Sequence, residues 1–340
     1  MRFTTLITLF GLTGAVGCIS EVGGDECIGA RCPGQGTGSG SASGSGSDDG
    51  CEELVQNLTI RTAADFDGLP DTCWTLNGNL RLEGAAITSL AKLGPLTEVN
   101  DLEIVDTQLA SIDAPKTIQV WGSLLVSGNG KLASLSNLAV ERWTGPVAGG
   151  AAWTVGYTIR DNAALTSIDA LRYIKQVDRD LRITGNTRLG SFGFEELTRI
   201  SGGLYIANTA ATAVRFPSLA TVTRIELANN ASLSSIAAYA ATQIGELVVD
   251  NNDALTDLAA LVPSQRINGA VTITNNNALT SLGRLAQLPE GVRSTVTITG
   301  NPSLVSCRAN EVAHCGQVGT TAAVIQNNGS TSCNGCYCGR

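Results

Sequence analysis

Seven times between Leu124 and Leu304 the chain repeats one pattern: an apolar residue, a spacer, an Ile, Val or Leu, two spacers, Asn, two spacers, Leu. The copies are Leu124-Val126-Asn129-Leu132, Tyr157-Ile159-Asn162-Leu165, Leu181-Ile183-Asn186-Leu189, Ile225-Leu227-Asn230-Leu233, Leu247-Val249-Asn252-Leu255, Val271-Ile273-Asn276-Leu279 and Val296-Ile298-Asn301-Leu304. The period-two opening of each copy is that of a short strand with one face in a core. Taking the first apolar position of each predicted strand extends the series to Leu58, Leu80, Leu102, Leu124, Tyr157, Leu181, Leu204, Ile225, Leu247, Val271, Val296 and Ala323, with most steps 21 to 25 residues long. Repetition at this period predicts an all-β fold: a single right-handed parallel β-helix, or solenoid, of about 12 short rungs. Stacked at about 4.8 Å, they make a rod roughly 50 Å long.

A second apolar column precedes the strands, at Val99, Val120, Val177, Ile200, Val222, Ile244, Ile267 and Val292. Gly78, Gly122, Gly245 and Gly269 stand two residues ahead of a strand, where glycine is expected to supply positive φ at a corner. Asn129, Asn162, Asn186, Asn230, Asn252, Asn276 and Asn301 fall five residues after the strand start. An inward-turned amide there needs backbone and neighbouring-rung partners, so these residues are expected to form a structural ladder.

Leucine-rich repeats share the Leu-x-Leu-x-x-Asn core but continue Asn-x-Leu and carry a further Leu three residues before the strand. Here the Leu falls one residue later, and Asp178 and Ser201 occupy the upstream position in two rungs. The combination of Ile or Val, Gly, short strand, Asn and Leu resembles the receptor L domain, the coiled β-helix of insulin- and epidermal-growth-factor-type receptors. The stretch from Cys73 to Gly84 is similar to that family's first full rung. The resemblance implies Cys51 and Cys73 as an amino-terminal cap pair. At the other end, Asn301-Pro-Ser-Leu-Val-Ser-Cys307, followed by a short helical stretch and Cys333, resembles the family's closing cap. The resemblance spans about residues 51 to 338 and implies shape more than a receptor role.

The amino terminus reads as an export signal over residues 1–17: Met1-Arg2, then an apolar stretch from Leu6 to Val16 too short to span a bilayer. Ala15-Val16-Gly17-Cys18 resembles the lipobox of bacterial lipoproteins, with Ala15 where that family usually has Leu. The resemblance implies acylation of Cys18 and, with Ile19 following, an outer-membrane or cell-surface location; the alternative is plain secretion. Residues 18–50 are expected to be a Gly/Ser-rich flexible tether, and residues 51–340 the solenoid with its caps.

Ten cysteines in an exported chain favour disulfides over metal sites. Setting Cys18 aside, Cys27, Cys32, Cys51 and Cys73 precede the repeats and Cys307, Cys315, Cys333, Cys336 and Cys338 close the chain, where solenoid ends need covering. In the carboxyl cap, Cys307 is expected to pair with Cys333, and Cys315 with Cys336 or Cys338, leaving one odd thiol. Zinc binding by these thiols and His314 is the weaker reading. No metal or cofactor is expected.

Twenty-two basic residues against 30 acids give a net charge of -8, which argues against binding a phosphate backbone. His314 is the sole histidine, so a Ser/His or Cys/His apparatus has one possible centre, and nothing around it looks assembled. Outward strand positions run Arg81, Glu103, Leu125, Thr158, Arg182, Tyr205, Glu226, Val248, Thr272, Thr297 in one column and Glu83, Val105, Ser127, Arg160, Thr184, Ala207, Ala228, Asp250, Thr274, Thr299 in the next. Acids are scattered along them. Thr272, Thr274, Thr297 and Thr299 make a grid too small for ice binding, and Asp250 to Asp253 lacks a full calcium ligand series.

One irregularity stands out against the period: the step from Leu124 to Tyr157 is 33 residues, with roughly ten inserted around Val140 to Trp153. Trp121, Trp143 and Trp153 cluster there. A loop rich in Trp on a rigid scaffold marks candidate binding residues, with side packing on the coil as the alternative role. The expected function is a non-catalytic binding or structural module at the cell surface, recognising a protein or glycan. A β-helix carbohydrate-active enzyme and a passive envelope spacer are the alternatives.

Overall fold

The structure is a computed structural model that describes residues 19–21, 24–26, 50–140, 155–238, 240, 243–261, 266–314 and 322–330. The chain divides into two compact units, Met1–Ala42 and Ser43–Arg340. In the first, within the stretch read as tether, Ile19–Glu21 pairs antiparallel with Gly24–Glu26.

The second unit is a parallel β-solenoid. Its principal sheet stacks β1 (Leu58–Ile60), β2 (Trp74–Glu83), β3 (Leu96–Val105), β4 (Leu124–Ser127), β5 (Tyr157–Arg160), β6 (Leu181–Thr184), β7 (Arg199–Ala207), β8 (Thr221–Ala228), β9 (Gln243–Asp250), β10 (Val271–Thr274), β11 (Val296–Thr299) and β12 (Ala323–Gln326). Every rung start read from the repeat lies opposite its neighbours, from Leu58 on Leu80 through Leu124 on Tyr157 to Val296 on Ala323. In strands such as Leu181–Thr184, Val271–Thr274 and Val296–Thr299 burial alternates, so the apolar face closes on the core and the other faces out.

The pre-strand column forms a second line of pairing, Leu76 to Val99 to Val120 to Val140 and, further on, Val177 to Ile200, Val222, Ile244, Ile267 and Val292. A third side is made by Phe192–Gly193, Ala213–Arg215 and Ser235–Ala237. Phe194 and Phe216 stack inside it with centroids 5.6 Å apart. Trp74 is fully buried, its Nε1 donating to the Leu93 carbonyl at 3.0 Å.

The corner after each strand explains the repeat's spacing. The fourth residue beyond the rung start has positive φ from β2 onward, at Gly84, Asp106, Gly128, Asp161, Gly185, Asn208, Asn229, Asn251, Asn275, Gly300 and Asn327. Left-handed backbone is open at low cost only to Gly and, less freely, Asn and Asp, which are the residues found there. The Asn that follows turns inward, and its carbonyl accepts the N–H of the Leu three residues on, as from Leu165 to Asn162 and Leu233 to Asn230, both at 3.0 Å. This one-turn closure is why the Leu sits at Asn plus three.

Glycine two residues ahead of the strand serves a different purpose from the one expected. Gly78, Gly122, Gly245 and Gly269 do not have positive φ. They are sites of close backbone approach: a Cβ on Gly78 would overlap the Gln56 carbonyl oxygen, and one on Gly245 that of Thr223.

Cys51 and Cys73 form a disulfide at the amino-terminal end. At the other end α1 (Ser306–His314) buries Cys307, Ala309, Val312 and Ala313 against the last rungs. Cys307 is disulfide-bonded, and its partner lies outside the described residues, as do Cys18, Cys27, Cys32, Cys315, Cys333, Cys336 and Cys338.

Candidate binding groove

Outward side chains of β2 to β6 enclose a groove of about 410 Å³. Its middle is Leu125 and Thr158, on adjacent strands, beside Ser123 and Gly156. One end is acidic, with Asp101 and Glu103 next to Asn79; the other holds Arg179, Asp180 and Arg182.

Each end is tied down by its own bonds. Glu103 accepts from Asn79 Nδ2 at 2.8 Å through one oxygen and pairs with Arg81 through the other. Arg81 also pairs with Glu83 at 2.9 Å, and Glu83 with Arg61 at 3.1 Å, so charges alternate from β1 to β3. Hydrogen bonds from Arg81, together with the nearby positive charges of Arg81 and Arg61, lower the Glu83 carboxyl to about 2. Asp101 accepts the Ser123 N–H at 2.6 Å. At the other end Asp180 accepts the Gly203 N–H at 2.8 Å and pairs with Arg182 at 2.6 Å. The Arg182 guanidinium lies 3.8 Å over the Tyr205 ring, which itself covers the Cα of Gly203.

The irregular rung borders this groove. Val140 still pairs with Val120, and the chain returns at Val155, whose carbonyl accepts the N–H groups of Asp178 and Arg179 at 3.0 and 2.9 Å. Gly156 N–H then donates to Ser123 Oγ at 3.3 Å. Trp121 is partly buried, and its Nε1 donates to Glu98 at 3.0 Å. Trp143 and Trp153 lie outside the described residues.

The inward amides form a ladder in two runs. Asn129 Nδ2 and N–H both donate to Asn162 Oδ1 at 3.0 Å, and Asn162 does the same to Asn186 at 3.1 Å. A second run begins at Thr209, which donates to Asn230 through N–H and hydroxyl, and passes through Asn252, Asn276 and Asn301 to Asn328. The seven repeat Asn residues are fully buried. Thr107, Thr209 and Asn328 belong to this column although the repeat read from sequence did not include them. Their offset of five from Leu102, Leu204 and Ala323 was the available signal.

Among the described residues no group of three His, Cys, Asp or Glu side chains is placed to hold a metal, and no helix is long and apolar enough to cross a membrane. A scan against protein-family models and searches of curated proteins and of solved structures find no match to this chain.

Proposed function

We propose that this chain is a cell-surface lipoprotein, anchored through an acylated Cys18, whose solenoid is a non-catalytic binding module that engages an extracellular protein partner through the β2–β6 groove. The groove's composition carries this reading. An apolar-polar centre at Leu125 and Thr158 is flanked by charges of opposite sign, and the ends are held rigid by intramolecular pairs. Pre-set charges at the rim of a small apolar patch suit orientation of a partner more than bond-breaking. Trp121 stands two residues before the lining residue Ser123, and the longest step of the repeat separates the strands that carry Leu125 and Thr158, which favours recognition there.

The second reading, a β-helix carbohydrate-active enzyme, draws on the same acids and arginines. Asp101 and Asp180 are three strand spacings apart, roughly 14 Å, beyond the roughly 5–9.5 Å of paired glycosidase carboxylates. Asp101 and Glu103 are closer, but donors occupy both oxygens of Glu103.

Surface cross-linking on intact cells tests the proposal. Leu125→Arg should abolish a specific cross-link that Val248→Arg, on the same outward column at β9, leaves intact. Cys18→Ser should release the chain from the membrane fraction. An equal cross-link in both Arg variants removes the groove from the reading, and unchanged membrane association of Cys18→Ser removes the anchor.

A further inference from the structure

The second side of the solenoid carries a hollow of different chemistry. Ile200, Val222, Ile244 and Ile267 point into the core in register, so the residues flanking them point out. Those flanking residues are Arg199 and Ser201, Thr221 and Thr223, Gln243 and Gly245, Arg266 and Asn268. At Gly245 the Thr223 carbonyl excludes a side chain, and the gap opens a trough of about 580 Å³ walled by Ser201, Thr221, Thr223, Gln243 and Asn268. It crosses three strand spacings, roughly 14 Å.

No carboxylate lines it. Glu226 and Glu246 pair with Arg224, and Glu290 holds Arg266 and Arg293. The one charged lining residue is Arg199, at an end. The wall groups are uncharged donors and acceptors with capacity left over. Gln243 and the Thr221 hydroxyl make no side-chain hydrogen bond among the described residues. Asn268 accepts from Arg266 Nε at 2.7 Å through Oδ1, which leaves its Nδ2 hydrogens to give. Thr223 gives its hydroxyl hydrogen to the Ser201 carbonyl at 2.5 Å and keeps its lone pairs.

We propose that this trough binds an uncharged linear polysaccharide lying along the solenoid axis. Nucleic acid requires several cations, and one arginine does not supply them. An apolar ligand would cover the wall's amides and hydroxyls without pairing them. A chain of sugar rings presents hydroxyls that both donate and accept, ring after ring, and the trough offers amides and hydroxyls strand after strand. With no aromatic ring in the wall and water competing for each bond, the affinity is in the range of about 1 mM.

Saturation-transfer NMR on the full chain tests this with cello-, laminari-, manno- and N-acetylchito-hexasaccharides, and with an alginate oligomer as the anionic comparator. At least one neutral hexasaccharide should show transfer that persists as salt is raised. Gln243→Ala with Thr221→Val, both at outward positions, should weaken it at least about fivefold, since two bonding groups are lost. Gln243→Ala alone should give a smaller loss, and Leu125→Arg in the other groove none. Absence of transfer to all four neutral sugars overturns the proposal. So does binding indifferent to the double substitution with the fold intact, or a salt-sensitive preference for alginate.

Discussion

Asn252, fully buried, makes five side-chain hydrogen bonds. Its Oδ1 accepts from the N–H and Nδ2 of Asn230, both at 3.2 Å, and its Nδ2 reaches the carbonyls of Leu227 and Asp250 at 3.0 Å and Asn276 Oδ1 at 3.3 Å. Truncating it leaves several buried groups unpaired, at about 1–3 kcal/mol each. Asn252→Ala should therefore lower the unfolding free energy by roughly 3 kcal/mol or more in urea titration. Asn277→Ala, which removes only an exposed bond to Asp253, should cost under about 0.5 kcal/mol. Equal losses at the two sites would deny the ladder its role. The inward Asn was legible from its constant offset, because an amide recurring at one phase of a strand-and-turn period has few other uses. The residue before it was not read, although it is Gly, Asn or Asp in every rung from β2 onward. Three residue types hide a backbone requirement that only dihedral angles make plain.

At the level of strands, register was legible throughout, since a slip of one residue would turn every Leu and Ile outward. What outward residues do to each other was not. Arg81, Glu83 and Glu103 were placed on outward columns whose acids looked scattered, and Arg61 was not read, yet the first three rungs bring all four into one alternating series. The ion pairs have a pH signature. Glu83 titrates at about 2, held down first by its hydrogen bond from Arg81. Glu290 is lowered chiefly by Arg266, and Asp65 by the N–H groups of Arg61 and Thr62. Carboxyls whose folded pKa lies below the unfolded one bind fewer protons folded than unfolded. Their contribution is complete above the ordinary carboxylate range and lost as pH falls through the folded values. The urea midpoint should thus decline between pH 5 and pH 2, and Glu83→Gln should flatten that decline. High salt should flatten it too, because Arg61 is 64% exposed and its pair is screened. A Glu83→Gln curve parallel to wild type would place the acid sensitivity elsewhere.

For the whole molecule, a solenoid is held by contacts between neighbouring turns, so an end can loosen while the middle stays folded. The amino-terminal cap is built for this weakness: Glu52–Leu54 pairs with Trp74–Leu76, and the Cys51–Cys73 bond closes a loop with a sequence separation of 22 beside that pairing. The cysteines' gathering at the two ends of the repeat was visible from sequence, because the repeat itself contains none. Which thiol meets which came only through family resemblance, since spacing does not specify connectivity. In the chain-entropy account a loop of this size stabilises by about 3 kcal/mol. In a globular domain that loss would be shared by the whole core. Here it should fall on the first turns, so hydrogen exchange of Cys51→Ser/Cys73→Ser should accelerate at the amides of Leu58–Ile60 and Leu80–Leu82. The amides of Leu247–Val249, several turns away and joined to their neighbours by the Asn252–Asn276 link, should keep wild-type protection. Uniform acceleration along all twelve strands would mean that the solenoid opens as one cooperative unit, and that the disulfide guards the entire coil and not its end.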